Sequence, residues 1–445
     1  MDEYQQEHPE RFSVRMELPL RPPESQPRMQ LKTILNRVEP CKSFVYGKAR
    51  WADDASRPTI EVELRPRKNG RPICSGCGQA APGYDRLPER RFEFVPLWGI
   101  AICFLYALRR VECPTCGVKA ERVPWADGKS PMATSYRWFL ARWAKRMCWK
   151  DVATAFHVSW DRVFTAVKQA VSWGLEHRDL EGITTIGVDE VQWHRGHNYQ
   201  TVVYQLDESN KRLLWVGPDR TAKTLLRFFR MLGRRRSAAL RFVVSDMWQP
   251  YLKVIAKKAG QAMHVLDRFH IMQRMNKAID QVRAAEVKQL RQDGYEPILK
   301  GCRWLLLKRS ENLTDKQAVK LKEIVHYNLT SVRSHLMKED FQRFWEYWSI
   351  LWAEKFLDQW CTRAMRSKIE PMKKVARMLR GKKELVLNWF RAGGALSSGI
   401  VEGFNNKLKL ITRKSYGFRT QEAYETALYH NLGALPEPKF THEFF

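Results

Sequence analysis

Apolar residues along this chain change period several times, and each change marks an element. Between residues 184 and 266 short β-type runs alternate with helical spacing. Strands are expected at 184–190, 200–206 and 212–216, a helix at 221–232, a strand at 242–245, a helix at 248–258 and a strand at 263–266. Residues 138–173 carry a helical period, and KDVATAFHVSWDRVF at 150–164 has the layout of two helices crossing at a tight turn. Here Ala153 is small enough for a close crossing, Val158 and Val163 fill the shared core, and Ser159 caps the second helix. Residues 91–110 read as two strands, whereas residues 1–40 are polar and Pro-bearing, with one short helix near 29–38. Beyond residue 270 the pattern stays helical to about 391. Within it Phe341, Trp345, Trp348, Trp352 and Phe356 fall at offsets 0, 4, 7, 11 and 15, the spacing of one buried helical stripe. A last helix from about 398 buries Val401, Phe404, Leu408 and Ile411, leaving Glu402, Asn406, Lys409 and Arg413 together on another face.

Three strands in a meander followed by α, β, α, β is the order of a ribonuclease H-like domain. The fold class expected is α/β multidomain, a ribonuclease H-like catalytic core interrupted by a helical insertion and preceded by a zinc ribbon and a helix-turn-helix domain. The boundaries run as a flexible arm over 1–40, the ribbon over 41–125, the helix-turn-helix over 126–180 and the first part of the core over 181–268. The insertion follows over 269–395, the C-terminal helix of the core over 396–432 and a tail over 433–445.

In that order the first core strand carries Asp189, the fourth delivers Asp246 at its carboxyl end, and the last helix adds Glu402. Three converging carboxylates make a divalent-metal site. Their hard oxygens suit two Mg²⁺ or Mn²⁺ ions: Asp189 would bridge both, Asp246 ligate one and Glu402 the other, as phosphodiester transfer requires. Glu190 points to the opposite side of its strand and is assigned a role in structure or in support of the groups around the metals. His270, just beyond the strand that ends before Asp267, is a candidate for active-site support. His194 and His197 fall in a hairpin turn and receive no metal.

Charge narrows the partner. Lys and Arg number 77 against 48 Asp and Glu, a formal balance of +29 spread along the chain, which suits double-stranded DNA better than a membrane surface. The longest apolar stretch, 95–108, is too short to span a bilayer, and the N-terminus shows no secretory pattern, so a cytoplasmic, nucleoid-associated protein is expected. Four of the nine cysteines form two knuckles, CSGCG at 74–78 and CPTCG at 113–117. Cys74, Cys77, Cys113 and Cys116 are the natural thiolate set for a structural Zn²⁺, with a glycine after each pair to permit a positive backbone angle. In the helix-turn-helix the second helix would present Trp160, Asp161, Arg162 and Lys168 to a groove, and Lys409 and Arg413 beside Glu402 would hold DNA phosphates.

Taken together these residues resemble the ISL-three family of bacterial insertion-sequence transposases, over roughly residues 35–432. The most specific parts are GVDEV with RGHNY nearby, SDMWQPY, DRFH, and EGFNNKLKLITRKSYGF at 402–418. Carried over by position, the family's DDE triad falls on Asp189, Asp246 and Glu402. The resemblance implies that the zinc ribbon and helix-turn-helix recognise terminal inverted repeats, while the insertion supports dimer assembly or DNA positioning. The polar N-terminal arm departs from the pattern.

The activity expected is a Mg²⁺-dependent DNA transposase that hydrolyses a strand at each element end, frees a 3′-OH and uses it to attack target DNA. Two ends processed together make a homodimer the smallest assembly expected. The rival readings are a sequence-specific DNA-binding regulator that has kept the fold without the reaction, and a structure-selective nuclease on the same fold.

Overall fold

The computed structural model describes residues 30–53, 57–193, 196, 198–295, 298–327, 329–394 and 399–439, and the side chains of 399–402 are excluded. Most of the expected arm, the tail beyond 439, His194, His197 and the Glu402 side chain lie outside the described residues. The chain divides into two compact units, the first reaching Tyr136 and the second Arg137–Pro438. Among the described residues no helix is long and apolar enough to cross a membrane.

The first unit holds α1 (Leu31–Val38) and a five-stranded sheet of β1 (Phe44–Trp51), β2 (Thr59–Pro66), β3 (Gly83–Leu97), β4 (Ile100–Cys113) and β5 (Gly117–Ala120). The strand order is β1-β2-β4-β3, with β5 on β4. The hairpin expected at 91–110 is β3 and β4, closed by Trp98 and Gly99 at φ 51° and 82° between the paired Leu97 and Ile100. Positive φ at both central positions is the turn whose twist matches that of the strands. Sequence pattern missed β1 and β2, although Ile60, Val62 and Leu64 of β2 alternate with charged residues as a strand does. Their inner faces meet a core around the fully buried Trp125, which takes edge contacts from Phe44 at 4.8 Å and Tyr106 at 5.3 Å. The cysteine hairpin is therefore part of a larger sheet than a two-stranded ribbon.

The helices α2 (Thr134–Arg146), α3 (Trp149–Ala155) and α4 (Trp160–His177) come next. The second sheet is built from β6 (Thr185–Gln192), β7 (Tyr199–Asp207), β8 (Asn210–Gly217), β9 (Phe242–Ser245) and β10 (Met263–Leu266). Its order is β10-β9-β6-β7-β8; β6 pairs parallel with β9 and β9 with β10, while the meander is antiparallel. A short run such as Phe242-Val-Val-Ser reads as a strand because a central parallel strand is covered on both faces. On one face Ile186, Val188 and Val243 pack with α5 (Ala222–Leu232) and α7 (Gln249–Lys258), α6 (Arg234–Ala238) lying between these helices in the chain. The other face meets α15 (Gly399–Lys414) and α16 (Gln421–Leu432): Phe404 stacks on Tyr204 at 4.5 Å, and the Val216 amide donates to the Tyr429 hydroxyl at 3.0 Å. The single C-terminal helix expected is thus two, parted by Tyr416 and Gly417 at positive φ.

Between β10 and α15 the helices are α8 (Arg268–Gln292), α9 (Arg303–Leu307), α10 (Asp315–Val325), α11 (Thr330–Gln342), α12 (Ile350–Arg366), α13 (Glu370–Arg380) and α14 (Lys383–Arg391). They pack around a core that includes Met275, Phe341, Trp360 and Leu379 and is joined by Met247, Leu252 and Leu266 from the sheet side, and α14 returns to the sheet edge, where Asn388 donates to the His264 carbonyl at 2.8 Å. The aromatic stripe expected on one helix is a correction. The chain leaves α11 through a 3-10 turn, Arg343–Glu346, and extends at Tyr347 before α12 begins, so helical phase is not carried across. Phe341 is buried and Trp345 and Phe356 half-buried, but Trp348 and Trp352 face solvent.

Candidate active site

Two strands place the first two acids. Val188 on β6 pairs with Ser245 on β9 in parallel register, so Asp189 and Asp246 follow at the same level on neighbouring strands, both buried. Asp246 ends its strand because its side chain turns the backbone: Oδ1 accepts the Trp248 amide at 2.9 Å, at the start of α7 with Pro250 in its first turn. Asp267 repeats this at the end of β10, accepting the Phe269 amide at 2.8 Å as the cap of α8. An aspartate after each strand thus starts a helix and faces the same sheet end.

Asp189 is held from two sides. Its Oδ1 accepts the Glu190 amide at 2.8 Å, and its Oδ2 accepts the Asn405 side-chain amide from α15 at 2.6 Å. Glu402 lies one turn before Asn405 on that helix. His270 Nε2 sits 3.8 Å from Asp189 Oδ1 and 3.8 Å from Asp267 Oδ2. Burial opposes charge on this ring, but Asp189, Asp267 and Asp246 outweigh it and lift its pKa to about 9.

Glu190, the next residue on β6, faces the other side of the sheet and forms an ion pair with Arg220, which also reaches Asp246 Oδ2 at 3.4 Å and lies over the Trp248 ring. Burial, then Asp246, raises its carboxyl to about 7 against the pull of Arg220. Glu190 is thus electrically linked to Asp246 through one guanidinium.

Asn406, Lys409 and Arg413 are exposed on α15. On α4 the Ser159 side chain accepts the Arg162 amide at 3.3 Å, and His157 supplies the positive φ of the turn from α3. Trp160 is half exposed and stacks on Phe164 at 5.4 Å, Arg162 is half-buried, and Lys168 pairs with Glu422 of α16 at 2.5 Å. Lys168, assigned to DNA from the sequence, thus stands in a solvent-exposed ion pair.

In the first unit the sulfurs of Cys74, Cys77, Cys113 and Cys116 lie within 4.8 Å of one another, the one such group of three or more ligating side chains among the described residues. Gly78 and Gly117 adopt φ 74° and 68°, as the knuckles require, and a Cβ on Gly76 would stand 3.0 Å from the Cys116 sulfur.

Sequence reasoning missed three groups. Asp267 carried a usable signal, the same strand-then-Asp pattern as Asp246. Asn405 sits beside Asn406 in a pair that apolar spacing cannot separate finely enough. Arg220 lies in a loop and carried no signal.

A family model described as transposase, of the ISL3 DDE type, matches residues 186–428. The transposase for insertion sequence element IS1001 of Bordetella parapertussis is 30% identical over 384 residues, 85% of this chain and 93% of that protein. The transposase for insertion sequence element IS1557 of Mycobacterium tuberculosis (strain CDC 1551 / Oshkosh) is 29% identical over 401 residues, 84% of this chain and 88% of its own. With more than half its length matched, this chain belongs to the ISL3 family of insertion-sequence transposases.

Proposed function

We propose that this transposase cuts and joins DNA at the ends of its insertion sequence through the triad Asp189, Asp246 and Glu402. The observation that carries the reading is the pair of buried carboxylates on parallel β6 and β9, with α15 tied to Asp189 by Asn405. The sheet order, with its antiparallel meander and two parallel pairs, supports a ribonuclease H-like core. The donor set fits Mg²⁺ or Mn²⁺, since Asp189 and Asp246 offer hard oxygens. Two such ions, when bound, would activate the attacking oxygen and neutralise the leaving one.

The chain's own residues set the geometry. Asn405 and the Glu190 amide fix both oxygens of Asp189. The Trp248 amide fixes one oxygen of Asp246 and leaves the other toward Arg220. Lys409 and Arg413, exposed on the helix that carries Glu402, hold phosphates on either side of the cut. Trp160 and Arg162 at the start of α4, with the four-cysteine unit carrying Zn²⁺, recognise the terminal inverted repeats, and two copies bring the two ends together.

The test is nicking and joining of a plasmid carrying the element's flanking DNA, with Mg²⁺ or Mn²⁺. Wild type is expected to cut at the flanks, and Asp189→Ala, Asp246→Ala and Glu402→Ala to fall to background while still binding. Normal cutting by any of the three would falsify the triad. Tight binding of the flanks without cutting by folded wild type would select the regulator.

A further inference from the structure

A groove of about 410 Å³ opens between α8 and α13, beside the residue that follows Asp246. Met247, Val375 and Met378 form its apolar floor, and Arg274, Lys277, Lys374 and Lys382 stand around it with no acidic residue in the lining. None of these four cations has an ion-pair partner within 4 Å among the described residues, although Lys374 lies within electrostatic reach of Glu370. Elsewhere on the same helices cations are paired: Arg283 with Asp280, and Lys373 and Arg377 with Glu370. Unpaired like charges crowded at one groove repel one another, and a polyanion removes that cost.

The groove also has a direction. On α8, His270, Arg274, Lys277 and Gln281 are spaced 0, 4, 7 and 11 along one face, while Ile271, Met275, Ala278 and Val282 make the buried face beside it. His270 touches Asp189, so the stripe starts at the carboxylates and runs into the groove. At 1.5 Å per residue its length is about 16 Å. That matches roughly five nucleotides at 3.4 Å of rise per strand.

We propose that the α8/α13 groove is a binding site for the sugar–phosphate backbone of the DNA strand whose scissile bond lies at Asp189 and Asp246. The proposal rests on the catalytic reading above for its direction, but the groove's affinity is measurable without cleavage. Arg274, Lys277, Lys374 and Lys382 take successive phosphates, and the apolar floor lies against the sugars. No base is read, so binding here is independent of sequence.

The full-length protein is titrated with a random-sequence duplex and with a duplex of the element end at several salt concentrations. For Lys277→Ala/Lys374→Ala the slope of log affinity against log salt should fall by about 1.8 on both duplexes, about 0.9 for each phosphate that is no longer neutralised. The control, Lys316→Ala/Lys320→Ala on α10, should leave the slope unchanged, and Lys277→Arg/Lys374→Arg should restore it. An unchanged slope in the Ala pair, or an equal drop in the control, overturns the groove. Equal competition by inorganic pyrophosphate and DNA for wild type, lost in the Ala pair, would make it a small-anion site and also overturn the proposal. If wild type never cuts but the slope still falls as stated, the groove stands and the catalytic reading alone fails.

Discussion

A carboxylate that must hold metal is only as good as the groups that aim it, and Asp189 is met by side chains from distant parts of the sequence. Asn405 donates to its Oδ2 at 2.6 Å from α15. Asn405→Ala is expected to keep the fold and DNA binding while lowering cleavage about 10- to 100-fold, the usual cost of losing a group that orients a ligand. A Mg²⁺ titration of the cleavage rate checks this: the variant should need more metal, and an unchanged metal dependence would assign Asn405 to packing alone. Asp189 and Asp246 were both legible because each follows a short apolar run. Asn405 was not, since helical spacing ranks faces to within about one residue and its neighbour Asn406 fits the same arc. Glu190 shows the converse, because alternation correctly sends it across the sheet but cannot reveal that Arg220 joins it to Asp246.

Among the elements, the cysteine knuckles show local sequence and long-range structure doing different jobs. CSGCG and CPTCG each dictate a tight turn through their glycines, and this much was plain from spacing. Bringing 74–77 to 113–116 depends on β3 and β4, whose pairing runs from Gly83↔Val111 to Leu97↔Ile100. The backbone amides of Cys116 and Thr115 lower the Cys113 thiol toward thiolate, the form that binds metal. One Zn²⁺ per chain is expected by elemental analysis, lost in Cys113→Ser, with the first unit losing its melting transition on chelation because metal binding contributes folding energy at such sites. Wild-type stoichiometry in the variant would remove the assignment. The aromatic run at 341–356 failed as a prediction for a related reason. Its spacing was helical, yet the chain turns at Arg343–Glu346, and only the tertiary core decides that Phe341 goes in and Trp348 stays out.

For the molecule as a whole, acid sensitivity follows from two histidines buried without charge. His264, whose Nε2 lies 2.8 Å from the Ser245 hydroxyl, is pushed by burial down to about 4. His430 is pushed by burial, with Lys145 and Lys414 adding to the shift and Glu437 and the Ala141 backbone opposing it, down to about 3. Because both fall below the unfolded value of about 6.5, the unfolded chain binds these protons first. Their stabilisation is complete above about pH 6.5 and is lost as pH falls toward 4 and then 3. Each contributes a slope of about 1.4 kcal/mol per pH unit inside its window. Urea unfolding of wild type and His264→Gln between pH 7 and 4 checks this: the variant's curve should be shallower by one proton, and identical slopes would mean that His264 titrates normally. By itself the sequence determined the order of elements around the core, the excess of positive charge, the cysteine knuckles and two acids that follow short apolar runs, because each is written in local period, composition or spacing. Only the tertiary structure decided that Arg220, His270 and Asn405 meet those acids, and that Arg274 and Lys277 of α8, Lys374 of α13 and Lys382 just beyond it line one groove. Such meetings depend on register and helix docking between segments far apart in the chain, and no local pattern encodes them.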